Sequence, residues 1–154
     1  MAVIYLDTSA LIKRYVAETG SAWIASFAFD APDTILVTSR LTIAEARSAF
    51  ARRRREASIS TEDHADTIAA FNEDCVQHYR FVELDTPVIE LACELMDRHP
   101  LRTNDAVQLA SALLSNQALR DAGVAALIFV SADERLVRTA DAEGLPADNP
   151  SLHP

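Results

Sequence analysis

Four short apolar runs, AVIYL (2–6), TILVT (34–38), RFVEL (80–84) and ALIFV (126–130), are separated by long stretches of helical periodicity. A half-exposed strand alternates apolar and polar residues. Runs with little internal polarity, clearest in the first and last, mark strands buried on both faces. The intervening segments repeat their apolar residues every three or four positions. Residues 41–57 carry Ile43, Ala46, Phe50 and Ala57 on one side and arginines on the other. Residues 61–78 and 87–98 behave alike, the second with Pro87 in the favoured first turn. In 104–119, Ala106, Leu109, Ala110, Leu113 and Leu114 form one stripe, and 133–143 ends at Gly144 and Pro146. SAWIASFAF (21–29) adds a short helix. Strands alternating with helices imply an α/β fold, its central sheet mainly parallel with four to five strands.

A chain of 154 residues with only three glycines and no internal repeat fits one packed domain, 1–145. The end, LPADNPSLHP, holds three prolines, so 146–154 is expected as a tail, either coil or a poor edge strand. The longest strongly apolar stretch, VAALIFV (124–130), is too short to span a bilayer, and the N-terminus does not read as a signal peptide. Cys75 and Cys93 lack the spacing of a metal knuckle and are expected as buried free thiols, which suits a reducing cytoplasm. Net charge is −9, from 14 basic and 23 acidic residues. Such a balance opposes broad attraction to nucleic acid but allows a local basic patch, a basic partner or a cation held between carboxylates.

Four of those acids fall at related places. In a parallel sheet the C-terminal ends of the strands share one rim, where ligands bind. Asp7 follows the first strand, and Asp133 follows the last after Ser131 and Ala132. Glu45 lies in the second turn of the helix after TILVT, and Asp105 opens the 104–119 helix in line with its apolar stripe. Singly, Asp7, Asp105 and Asp133 are good helix caps, and Glu45 is an ordinary solvated helix residue. Together on one rim they would repel unless protonated or neutralised by a cation. Oxygen donors without histidine suit Mg²⁺ or Mn²⁺ better than zinc. Metal-assisted hydrolysis of a phosphodiester needs no side-chain nucleophile. No Ser-His-Asp order or Walker glycine loop is present.

The segments YLDTSALIKRY (5–15), TSRLTIAEARSAFAR (38–52), LRTNDAVQLASAL (101–113) and FVSADERLVRTADAEGL (129–145) resemble the PIN-domain fold. More narrowly they resemble the VapC toxins, the ribonuclease halves of VapBC type II toxin–antitoxin pairs. The resemblance covers nearly the whole chain in the family's motif order. It implies a three-layer α/β/α fold with Asp7, Glu45, Asp105 and Asp133 as the acidic cluster and Asp7 and Asp105 as principal Mg²⁺ ligands. Ser9 and Ser131 match small hydroxyl positions that support the site or simply cap. The implied activity is a Mg²⁺- or Mn²⁺-dependent endoribonuclease, usually a homodimer, restrained by a small cognate VapB-like antitoxin and meeting DNA only through that partner. The chain departs at Asn104, where many relatives are apolar and where the amide either caps the helix or touches the site. GLPADNP (144–150) is a broken form of the family's last strand.

Lys13, Arg14, Arg40, Arg47 and Arg102 flank the acidic motifs and are the candidate RNA phosphate contacts. The run Arg52–Arg55 wraps around a helix; it reads as a solvated helix end, with RNA or partner contact as the alternative. Trp23, Phe27 and Phe29 fill core positions or, alternatively, line a groove for an antitoxin helix. The four histidines lie outside the acidic motifs and read as surface or loop residues. A PIN-like module that binds RNA or protein without cutting is the competing function. A haloacid-dehalogenase-type phosphatase would need an aspartate where Ser9 stands. A receiver domain would need a late lysine, and Lys13 is the sole one.

Overall fold

The structure is a computed structural model that describes residues 1–28 and 31–154; Phe29 lies outside the described residues. Strand β1 (Ala2–Leu6) leads into α1 (Thr8–Leu11), which tightens into a 3-10 turn at Ile12–Arg14. There follow α2 (Ser21–Ala28), β2 (Thr34–Ser39), α3 (Leu41–Arg55) and α4 (Thr61–Gln77). Next come β3 (Tyr79–Val82), α5 (Thr86–Arg98) and α6 (Thr103–Asp121). Then β4 (Leu127–Val130), α7 (Glu134–Ala142) and β5 (Ala147–Asp148) close the chain, with a last 3-10 turn at Pro150–Leu152. The five strands of the described residues are parallel, in the order β3-β2-β1-β4-β5.

The layers follow from the two-residue period of the central strand. Val3 and Tyr5 of β1 point to one side and pack with Leu127 and Phe129 against Val88, Leu95, Leu109 and Leu136 of α5, α6 and α7. Ile4 and Leu6 point to the other side and meet Leu11, Ile24, Ala46, Phe50 and Phe71 of α1 to α4. Both faces are therefore covered by helices, and β1 is buried from Val3 to Leu6. The helix starts carry their own caps. Ser60 accepts from the Asp63 N–H at 3.0 Å, and Asp85 accepts from the Val88 N–H at 3.2 Å.

Two local expectations change, and one open alternative is decided. Ala57 does not extend the stripe of α3, because the helix ends at Arg55 and Ala57 turns left-handed at φ 57°. Cys93 is exposed; only Cys75 is partly buried, and burial pushes its thiol up to about 11. The segment after residue 145 is the poor edge strand and not free coil. The Phe129 N–H donates to Pro146 O at 2.8 Å and the Ser131 N–H to Asp148 O at 3.1 Å. Beyond it Asn149 and Pro150 are buried, and His153 stacks on Trp23 at 4.2 Å between centroids.

Gly20 is where this terminal segment presses hardest on the rest. Its φ is +90°, and a side-chain carbon there would collide with the Pro150 carbonyl. Gly20→Ala should therefore cost roughly 2 kcal/mol by combining backbone strain with that collision. Denaturant titration checks this, and a parental midpoint would show the 150 turn yields freely.

Candidate active site

The site begins where β1 and β4 part. The Asp7 N–H still donates to Val130 O at 3.1 Å, so Asp7 is held at the sheet's C-terminal edge while capping α1. Its Oδ1 accepts from the Ala10 N–H at 2.9 Å and from Ser9 Oγ at 2.7 Å; its Oδ2 accepts from Ser131 Oγ at 2.7 Å. The two serines also tie the strand ends together. Ser9 Oγ accepts from the Ala132 N–H at 2.9 Å, and Ser131 Oγ from the Asp133 N–H at 3.1 Å. Asp7 is almost fully buried. Burial pushes its carboxyl up to about 6, against the downward pull of the Ser131, Ser9 and Ala10 donors; the charge of Glu45 adds a smaller upward push.

Glu45 reaches the same space from α3. Its Oε1 accepts from Thr8 Oγ1 and Gln108 Nε2, both at 2.9 Å, and its Oε2 accepts from Asn104 Nδ2 at 2.9 Å. The open question about Asn104 is thereby answered: its amide touches the site. The residue before the helix is Arg102, whose side chain makes no capping bond to the backbone. Asp105, in the first turn of α6, pairs with Arg102 Nε at 3.1 Å. Asp133 caps α7 through the Arg135 N–H at 2.9 Å. For Asp7 and Asp133, capping and a place at the site are thus compatible. All four carboxylates line one cavity of about 620 Å³, with Arg102, Asn104 and Gln108 in its wall.

Of the five basic residues expected near phosphate, only Arg102 lines this cavity. Lys13 requires correction. It is buried, because the 3-10 turn after α1 swings it toward the following loop, where Nζ donates to Thr19 O at 2.8 Å and to Glu18 at 3.2 Å. Arg14 lies 3.7 Å from Asp74, Arg40 pairs with Glu83 above the Phe81 ring, and Arg47 bonds Asn72 at 3.4 Å. These three face other neighbours. Conversely, Arg52 of the arginine run is in the cavity wall, whereas Arg53 turns to Glu18 at 3.6 Å. Trp23 and Phe27 pack edge-to-face at 4.7 Å and border the core.

Gln108, Thr8 and Thr42 are absent from the residues read off the motifs, yet they form the polar floor beside Glu45. Gln108 Nε2 donates to Thr42 Oγ1 at 2.9 Å and lies 3.2 Å from Thr8 Oγ1, and its Oε1 accepts from Tyr5 OH at 2.8 Å. One sequence signal does exist. Gln108 stands three residues after Asp105, directly before Leu109, so a polar amide interrupts the buried face of α6.

The cavity's donors are carboxylates, hydroxyls and amides, and among the described residues no histidine or cysteine lines it. Among the described residues no three acids, histidines or cysteines stand close enough together to cage a metal ion. Mg²⁺ does not need such a cage. It is commonly held by one or two carboxylates, with waters and substrate phosphates completing its octahedron. The donor chemistry therefore fits Mg²⁺ or Mn²⁺ and disfavours zinc.

The family model for the PIN domain matches residues 4–142, and the chain belongs to that family. Within it, the chain is 36% identical over all 154 residues to ribonuclease VapC45 of Mycobacterium tuberculosis, covering 100% of both proteins. Its fold matches the crystal structure of VapBC2 from Rickettsia felis bound to a promoter DNA fragment, with a TM-score of 0.64 and 12% identity over 96% of this chain and 98% of that one. It also matches a toxin–antitoxin complex from Klebsiella pneumoniae, with a TM-score of 0.57 and 17% identity over 97% and 98% of the two chains.

Proposed function

We propose that the protein is a metal-dependent endoribonuclease that serves as the toxin of a type II toxin–antitoxin pair and is neutralised by a cognate antitoxin. The observation that carries the catalytic part is the convergence of Asp7, Glu45, Asp105 and Asp133 on one cavity at the sheet's C-terminal edge. Full-length similarity to a VapC ribonuclease supports RNA as the substrate, and the fold shared with toxin–antitoxin complexes supports the partner. A homodimer that meets DNA only through its antitoxin, in the cytoplasm, is the corresponding assembly. Among the described residues no helix is long and apolar enough to cross a membrane.

Asp7 and Asp105 are the residues to hold Mg²⁺ or Mn²⁺. A cation held there would supply charge neutralisation and Lewis acidity for hydrolysis of the phosphodiester. The protein's part is placement. Ser9, Ser131 and the Ala10 N–H fix both oxygens of Asp7, while Thr8, Asn104 and Gln108 hold Glu45 toward the same space. Arg102 and Arg52 are the cations in the wall that can meet substrate phosphate, which matters in a chain of charge −9. Arg102 pairs with Asp105 but is largely exposed, so a phosphate can draw it away at little cost.

The test is cleavage of a labelled RNA by the purified chain. Cutting should require Mg²⁺ or Mn²⁺, stop in excess EDTA and return when the ion is restored. It should also be suppressed by the protein encoded beside this gene. Undiminished cutting in chelator removes the metal from the mechanism, and RNA binding without cutting favours the non-catalytic module.

A further inference from the structure

Gln108 is 3% exposed, and its side-chain amide is bonded at both ends. The two ends impose opposite demands. Glu45 Oε1 can only accept, so it needs the –NH₂ group of the amide. Tyr5 OH donates, so it needs the amide oxygen. Both are satisfied by one orientation of Gln108, with Oε1 on Tyr5 at 2.8 Å and Nε2 on Glu45 at 2.9 Å. Tyr5 itself is tightly enclosed: it lies within β1, fully buried, stacked on Phe129 at 5.6 Å. It does not line the cavity and cannot touch a substrate there.

We propose that the Tyr5–Gln108 pair is a positioning device, in which a phenol on the central strand orients the amide that aims the Glu45 carboxylate into the cavity. The chain of contacts links β1 to α6 and then to α3, so it couples the helical layers on the two sides of the sheet at the site. Thr8 completes it by donating to the same Glu45 oxygen at 2.9 Å from the turn that carries Asp7. Without the phenol hydroxyl the amide oxygen loses its donor, so Gln108 is fixed only from its –NH₂ end and the amide plane is free to turn against the Glu45 carboxylate. The kinetic consequence rests on the nuclease reading above; the geometric claim does not.

The experiment compares the parent with Tyr5→Phe and Gln108→Met, both close in volume to the residues they replace. Protein labelled with ¹³C in the glutamate carboxyl groups gives a Glu45 resonance, assigned by its loss in Glu45→Gln. That resonance should shift or broaden in both variants. With Mn²⁺ and a short fluorescent single-stranded RNA, kcat should fall about tenfold in Gln108→Met and several-fold in Tyr5→Phe, while KM stays within about twofold. Thermal melts establish that each variant is folded at the assay temperature. Lowered melting with an unmoved Glu45 resonance in both variants would mean a merely structural bond and overturn the proposal, as would a parental kcat in both. A parent that cuts no RNA with either ion sinks the nuclease reading instead, and the carboxyl resonance alone then decides the positioning claim.

Discussion

Asp7→Asn should lose RNA cleavage by more than about 100-fold and yet melt at a higher temperature than the parent at pH 7. Losing a group that only supports a metal ligand costs 10- to 100-fold, and Asp7 is assigned as a ligand itself. The stability gain follows from the folded state's preference for the protonated acid. Burial lifts the Asp7 carboxyl from its ordinary 3.8 to about 6. For a raised pKa the stabilisation is fully present below about pH 4, where the acid is protonated in folded and unfolded chains alike. It is lost as pH rises through 6, because only the unfolded chain ionises freely. A shift of about two units corresponds to roughly 3 kcal/mol at most. The asparagine does not titrate there, and it can keep the geometry: Oδ1 accepts from Ala10 and Ser9, while Nδ2 donates to Ser131 Oγ. The expected gain at pH 7 is about 1–3 kcal/mol, or ~2–12 °C in a domain of this size. It should shrink to nothing near pH 4. Melting curves from pH 4 to 8 beside a cleavage assay read both effects; an active variant refutes the assignment, and a gain independent of pH refutes the burial argument.

Phe50→Ala should be the most destabilising of the substitutions considered, by about 3–5 kcal/mol. Phe50 is fully buried and sits edge-on to Tyr15 at 5.8 Å and Phe71 at 5.7 Å, while those two meet at 5.4 Å. The trio joins α3, α4 and the turn after α1, so no neighbour is free to collapse into the space left behind. At 2–4 °C per kcal/mol, the melting temperature should fall by roughly 6–20 °C. The consequence reaches the site through helix geometry. Phe50 follows Glu45 by five residues, which turns them about 140° apart around α3. Burying the one is what leaves the other facing the cavity. Phe50→Leu should retain most of the stability, since a large apolar side chain still fills the layer. A melting temperature for Phe50→Ala within 2 °C of the parent would show that α3 is held by something other than this cluster.

The elements that sequence patterns make legible are those whose signal is local. The both-face burial of β1 shows directly as AVIYL, and its parallel partners show as similar runs between helical segments. Asp7, Asp133 and Glu45 are legible because each follows a strand closely, and chain order in a parallel sheet already implies a shared rim. Lys13 shows where this reasoning stops. Its distance along the chain from Asp7 suggests the site, but a switch from α to 3-10 geometry redirects it to Thr19 and Glu18. Arg14, Arg40 and Arg47 flank the motifs equally well in sequence, and their directions depend on Asp74, Glu83 and Asn72, which lie 60, 43 and 25 residues away.

Period and punctuation in the chain were therefore enough for the α/β layering, the parallel sheet and the edge to which its carboxylates belong. These depend on interactions between near neighbours and on the few ways a strand and a helix can pack. The third dimension alone decided which polar groups hold those carboxylates. Tyr5, Glu45 and Gln108 meet across separations of 103 and 63 residues. Nothing in their spacing encodes that meeting, because a hydrogen bond needs ångström-level placement that exists only once both helical layers have closed on the sheet.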